Sequence, residues 1–395
     1  MNEINFFPTP SLELLFTEQC NLRCTYCFEK DKLNRKMPLE TLLPLTTPGN
    51  VICRSFYPFG GEPLLALDTI TEMIDSIQSQ KDMNESTKKA LLQSLYSHIT
   101  NGTLIKKNID IIKKYKLDMQ ISIDGPKNVH DSARLYPDGR GSFDDVYEAV
   151  EICFREGIPW SAHGSIGPEN IKNLSEIAKF YFKLYVDFGG KPTINDAIYS
   201  LDKNPFQLIF EGEYTDDIVD EFLSQFYQFS EWIWTTTDYE LTQDQRKKMF
   251  INWCTKRGSA CVVGDIMLAV DFNYDLYPCH RVAMLPDREA FSLGSLIGET
   301  RDFGNYEYFN ALTQMHQDNC LFSSSLNIDE WNEPLYWMNW CPAANSESHN
   351  SPYYQPSKYN VLIAELNEFI PELAVYYGIP PQELEKKIEN DTRGR

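Results

Sequence analysis

The sequence predicts an α/β fold of parallel βα units, closed as a barrel or left as an open sheet, and three observations lead there. Short β-like runs alternate with amphipathic helical runs about six times between residue 11 and residue 200. The chemically unusual residues fall just after the strands. The chain has 395 residues, more than one compact core usually spans, so a large α/β domain with a smaller companion is expected.

The strand candidates, in order, are SLELLFT, NVICRSFYPF, YSHITNG, LDMQISIDG, PWSAHGSIG and KPTINDAIY. Each is a short run rich in β-branched or aromatic residues and bounded by turn residues. Between them lie LDTITEMIDSIQS, LIKKNIDIIKKY, FDDVYEAVEICFREG and NLSEIAKFYFKLY, whose apolar residues recur at three- and four-residue steps. A further helix is expected from about Asp216 to Thr235, and another in the tail, KYNVLIAELNEFIPELAVYYG followed by PPQELEKKIEND. These patterns divide the chain into a barrel domain at 1–235, a cysteine-bearing domain at 236–352 and a helical tail at 353–395. Three cysteines follow the first strand, Gly60-Gly61-Glu62-Pro63 the second, Asn101-Gly102 the third and Asp124-Gly125-Pro126 the fourth. In a parallel barrel these points share the C-terminal face, where active sites are built.

Hydrophobic residues make up 42% and aromatics 13%, a composition that argues against disorder. The start, MNEINFFPTPSLELLF, lacks a basic region followed by an apolar run, so no signal peptide is expected. No segment approaches about 18 uninterrupted apolar residues, so neither a membrane span nor a membrane partner is expected, and the cytoplasm is the expected compartment. A net charge of −21 excludes a general nucleic-acid binder, because phosphates would be repelled. Ten cysteines in such a chain point to metal binding or catalysis rather than disulfides. Cys53 and Cys153 stand alone and read as small buried residues.

The stretch CNLRCTYCFE holds Cys20, Cys24 and Cys27, with no fourth cysteine nearby. A cubane iron–sulfur cluster normally takes four thiolates. Three leave one iron open, and an open position separates a catalytic metal centre from a structural one. Cys24-x2-Cys27 alone could instead be half of a zinc site, with the second half in the tail.

CNLRCTYC, with an aromatic residue before its last cysteine, resembles the signature of radical S-adenosylmethionine (SAM) enzymes, and FGGEPLL resembles that family's second motif. The resemblance covers roughly residues 10 to 200 and implies a partial (β/α)6 TIM-type barrel. It implies that Cys20, Cys24 and Cys27 hold a [4Fe–4S] cluster whose open iron is chelated by SAM. One electron would then cleave the sulfonium to a 5′-deoxyadenosyl radical, which abstracts a substrate hydrogen. An electron donor such as flavodoxin or ferredoxin is implied with it. Tyr26 would pack beside the SAM, and Gly60, Gly61, Glu62 and Pro63 would meet its ammonium group through close-approaching backbone and a nearby carboxylate. Asn101, Ser122 and Asp124 could hydrogen-bond its ribose or carboxylate, with Asp124 also a candidate catalytic group; Ser165 and Asn170 follow. Their other reading is as turn and cap residues.

The region CTKRGSACVVGDIMLAVDFNYDLYPCHR resembles the start of a SPASM or twitch domain, which binds auxiliary [4Fe–4S] clusters. Cys254, Cys261, Cys279 and Cys341 would close one auxiliary cluster. The family's run Cys-x2-Cys-x5-Cys-x3-Cys is missing, so a second is not expected, and Cys320 is left over. Tyr274 stands at the turn where the family usually has glycine. A structural zinc site using cysteines and His280 is the competing reading.

SPASM proteins mostly modify peptides or proteins, so the resemblance implies such a substrate. In the sulfatase-maturing branch an aspartate follows the YPC-type cysteine and acts as a base; here the residue is His280, either a proton acceptor or a group bonded to the cluster. That departure ranks ribosomal-peptide maturation first and sulfatase maturation second. The first strand begins near residue 11, so no leader-recognition domain is expected before it. A small-molecule substrate stays open, because barrel motifs do not specify one. A plain electron carrier would need no vacant iron.

Overall fold

The computed structural model describes residues 11–29, 32–46, 53, 55–188, 206–208, 215–254, 267–284, 288–295, 358–384 and 386–387. KPTINDAIY, Cys261, Cys320 and Cys341 lie outside them. The chain divides into two compact units: Met1–Ser122 with Ala133–Trp160 and Val262–Met315, and Ile123–Ser132 with Ser161–Cys261 and His316–Arg395.

The first unit is built around β1 (Ser11–Thr17), buried along its whole length. An apolar run such as LELLF suits a strand covered on both faces. It pairs in parallel with β2 (Phe56–Gly60), Leu12 opposite Phe56 and Thr17 opposite Gly60. On its other edge it pairs in parallel with Met267–Val270, with Ser11 opposite Met267. That late strand pairs antiparallel with Leu276–Tyr277, giving an open four-stranded sheet. A parallel pair, β3 (Ser97–Thr100) and β4 (Asp118–Ser122), completes the strands of this unit.

Helices follow the strands as the periodicity predicts. After α1 (Leu39–Thr46), α2 (Leu67–Ser79) buries Ile70, Met73, Ile74 and Ile77, one stripe at three- and four-residue steps. The sequence reading lacks α3 (Glu85–Leu95), a polar segment, although Asn84 caps it by accepting from the Thr87 N–H at 2.8 Å. The run LIKKNIDIIKKY forms a short 3-10 turn and then α4 (Ile109–Tyr115). Lys127–Ala133 is α5 and Phe143–Glu156 is α6, which ends on Gly157 at φ 65°, a left-handed cap. Cys153 on α6 is buried as expected, whereas Cys53 is partly exposed.

In the second unit, β5 (Trp160–Ile166) pairs in parallel with β6 (Phe206–Leu208). Here α7 (Leu174–Phe188) and α8 (Asp216–Thr235) pack together with α9 (Gln243–Cys254). Phe226 and Phe229 of α8 close on Trp253 at ring-centroid distances of 4.9 and 4.6 Å. These aromatics are core, buried against one another.

The late hairpin of the first unit consists of β7 (Met267–Val270) and β8 (Leu276–Tyr277). The Asp271 carboxylate accepts from the N–H groups of Asn273 at 2.9 Å and Asp275 at 3.0 Å, folding the turn. Tyr274 then sits at φ 64°, the left-handed region that favours glycine. Tyr274→Gly is therefore expected to raise stability by about 1 kcal/mol, read as a higher midpoint in thermal or urea unfolding; a lower midpoint would contradict the strain.

Candidate metal centre

The cysteine loop leaves β1 at Thr17 and is fastened by its backbone. The Arg23 N–H donates to the Leu135 carbonyl at 2.6 Å and the Thr25 N–H to that of Ala133 at 3.0 Å. The Arg23 guanidinium donates to the Cys20 and Leu22 carbonyls, each at 2.8 Å. Cys20, Cys24 and Cys27 are each partly exposed, and no cysteine among the described residues is in a disulfide.

Each sulfur has its own surroundings. Cys27 Sγ lies 2.9 Å from Lys32 Nζ, which also holds Glu29 Oε2 at 3.2 Å. Asn101 Nδ2 is 3.9 Å from Cys20 Sγ. Burial, then the charge of Glu62, push the Cys20 thiol up to about 12, so without a metal it stays protonated near neutrality. A coordinated metal displaces that proton. Burial likewise lifts the Glu29 carboxyl to about 7, against the pull of Lys32. Among the described residues no three Cys, His, Asp or Glu side chains gather closely enough to hold a single ion. Three soft thiols on one accessible loop, without a fourth, fit an iron–sulfur cluster with one open iron.

The glycine pair has a structural cause that the motif does not reveal. A Cβ on Gly60 would stand 2.0 Å from the Thr17 carbonyl oxygen, and one on Gly61 would stand 2.4 Å from that of Gln19. The Gly61 and Glu62 N–H groups donate to those same carbonyls, both at 2.8 Å. The pair is pressed against the segment that carries Cys20. Glu62 is turned inwards, 1% exposed. Its Oε1 accepts from Thr100 Oγ1 at 2.7 Å and from the Leu64 N–H at 3.0 Å, and its Oε2 from the Asn101 N–H at 2.8 Å. The carboxylate thereby ties the end of β2 to the end of β3. Pro63 opens the 3-10 turn that Glu62 caps.

Asn101 is equally engaged: its amide donates to Asn21 Oδ1 at 2.8 Å and accepts from Thr103 Oγ1 at 2.7 Å. Ser122 is buried at the end of β4. In the second unit, Asp124 is fully buried and Oδ1 accepts from the Ser165 N–H at 2.9 Å. The Asp124 N–H donates to His130 Nδ1 at 3.2 Å. Asn170 closes the next turn, accepting from the Gly167 N–H at 2.8 Å and donating to the Ser165 carbonyl at 2.9 Å. Asn101, whose Oδ1 also accepts from the Thr103 N–H at 3.1 Å, thus holds backbone as Asp124 and Asn170 do.

His280 begins a single turn of helix, α10 (His280–Ala283), with buried Cys279 at the position before it. Its Nδ1 is 2.8 Å from Glu13 Oε2, and its ring stacks on Phe59 at 4.0 Å. The Phe28 ring is 5.7 Å away. Phe28 follows Cys27 and Phe59 precedes Gly60, so His280 stands beside both motifs, with its side chain 30% exposed. Cys254 ends α9, and burial raises its thiol well above the ordinary range.

The sequence reading misses three residues. A lone Glu13 in an apolar strand is the readable sign of a buried partner, and that partner is His280. Arg134 is buried with its guanidinium 5.4 Å from the centre of the Tyr26 ring. Lys32 is the third, and only its proximity to the cysteines hints at it.

Fold and loop together point to a class: residues 14–181 match the description of the radical SAM superfamily, so this part of the chain carries a radical SAM domain. The chain is 28% identical over 179 residues to a cysteine-type anaerobic sulfatase-maturating enzyme of Clostridium novyi, covering 42% of this chain and 46% of that one. A serine-type anaerobic sulfatase-maturating enzyme of Bacteroides thetaiotaomicron is 21% identical over 340 residues, covering 77% and 78%. The match spans about half the length of the first of these relatives. Among solved structures, native anSMEcpe with bound AdoMet superposes with a TM-score of 0.62 at 18% identity, covering 96% of this chain and 99% of that one. The shared fold is thus a radical SAM fold, α/β with an open sheet. Among the described residues no helix is long and apolar enough to cross a membrane.

Proposed function

We propose that this chain is a radical SAM maturase that abstracts hydrogen from a peptide or protein, in the manner of sulfatase maturation. The three-thiol loop pinned by Gly60 and Gly61 carries the first half of that reading. The names of its relatives support the second half and favour formylglycine formation over ribosomal-peptide crosslinking. Cys20, Cys24 and Cys27 would hold the cluster. When bound, cluster and SAM supply one-electron cleavage of the sulfonium and a radical that takes a substrate hydrogen.

The remaining roles belong to the chain's own groups. With Glu62 committed to the backbone, the ammonium of SAM would meet carbonyl oxygens of the Gly60-Gly61 segment. Arg134, buried beside Tyr26, would meet its carboxylate. His280 would take the substrate proton at Nε2, because Nδ1 is tied to Glu13. Cys254, Cys261, Cys279 and Cys341 would bind one auxiliary cluster, giving about eight irons per chain in all.

Anaerobically reconstituted protein given dithionite and SAM is expected to release 5′-deoxyadenosine, and Cys24→Ala to release none. Adding a sulfatase-derived peptide with a cysteine or serine at the modified position is expected to give the aldehyde by mass spectrometry. Equal 5′-deoxyadenosine from Cys24→Ala would end the radical SAM reading; an unchanged peptide would end only the sulfatase branch.

A further inference from the structure

We infer that Lys32 tunes the reduction potential of the centre held by the cysteine loop, an inference that rests on reading that loop as a cluster site. Lys32 Nζ lies 2.9 Å from Cys27 Sγ, within charge-assisted hydrogen-bond reach of a sulfur. The Lys32 and Glu29 side chains are 7% and 8% exposed, so little water screens the contact. The lysine backbone sits at φ 32°, where an L-residue pays a steric cost. Its side chain reaches back to the cysteine five residues earlier. Cys20 differs, since the side-chain donor at its sulfur is the neutral amide of Asn101, at 3.9 Å.

A one-electron reduction adds negative charge to the centre. A cation donating to one of its sulfurs stabilises the reduced form more than the oxidised one, and so raises the potential. Glu29 orients the ammonium and offsets part of its field. Lys32 is thus a positioning residue for charge: it makes the centre easier for a donor to reduce and touches no substrate.

The test uses the full chain reconstituted anaerobically with iron and sulfide, with iron counted in each sample. Dithionite supplies the electron and is itself oxidised. The paramagnetic signal that responds to added SAM is followed through a redox titration. Lys32→Met is expected to lower the midpoint; a tenfold fall in the reduced-to-oxidised ratio at fixed potential corresponds to about 59 mV. Lys32→Arg is expected to stay near the native value. An unchanged midpoint in Lys32→Met at native iron content overturns the inference. Loss of iron from both Lys32→Met and Lys32→Gln also overturns it, by assigning Lys32 to assembly. Absence of a SAM-responsive signal from the native chain would instead defeat the cluster reading.

Discussion

With the cysteine loop read as a cluster site, as proposed above, Gly61→Ala is expected to lose the iron bound there. The added methyl would stand 2.4 Å from the Gln19 carbonyl oxygen and 2.7 Å from its carbon. Real Cβ atoms do not approach backbone so closely, so one segment must move. Gln19 directly precedes Cys20, and the Glu62 N–H donates to the same Gln19 carbonyl. Relieving the clash therefore displaces the first thiolate of the set. Overpacking a tight backbone contact costs about 3 kcal/mol, so the fold should persist while the loop shifts. The measurement is iron per chain after anaerobic reconstitution, alongside the thermal midpoint. Full iron content at native stability would show that the glycines are not what holds the loop. Gly60→Ala should be worse, because Gly60 also sits at φ 137° and its Cβ would be 2.0 Å from the Thr17 carbonyl oxygen.

Glu62→Ala is expected to be the most destabilising single polar change in the first unit. Two backbone N–H groups and one hydroxyl, from Leu64, Asn101 and Thr100, would lose their acceptor in a buried site. Each unsatisfied donor costs about 1–3 kcal/mol, so a total near 5 kcal/mol is reasonable. Glu62→Gln keeps one oxygen but turns an NH2 toward a donor, so it should recover only part of that loss. Urea unfolding of both variants checks the order: Gln at native stability would show that the carboxylate does not carry the three bonds. The result also separates two roles that the motif runs together. A glutamate that met SAM directly would affect SAM binding more than folding; one that clamps β2 to β3 affects folding first.

Much of the fold is legible in the sequence because its strands and helices differ in period. SLELLFT and LDTITEMIDSIQS become β1 and α2 with the bounds their patterns give. The cysteine loop is legible because three thiols so close together have few structural uses. What escapes is side-chain direction. Nothing in FGGEP states that the carboxylate points inwards, since that depends on where Thr100 and Asn101 arrive. The His280–Glu13 pair escapes for a related reason: it joins residues 267 apart in the chain. The helix ending at Cys254 is missed because QDQRKKMFINWC has no clean apolar stripe, its buried residues crowding the last turns. Tyr274 is a case where a departure from a family pattern is read correctly as a geometric question, and the turn answers it by accepting a tyrosine at φ 64°.

The parallel pairing of β1 with Met267–Val270 bears on how the molecule is made. Ser11 leaves the ribosome well before its neighbour Met267, which lies far behind it in the chain. At about 5–20 residues per second, one edge of the central strand therefore waits ten seconds or more for its partner. During that interval β1 offers an open row of amides beside an apolar face, a template for strand addition by other chains. Contacts of such long sequence separation also form slowly in a full-length chain. Yield in a fast-translating host should thus be limited by aggregation of nascent chains, and slower synthesis at low temperature should relieve it.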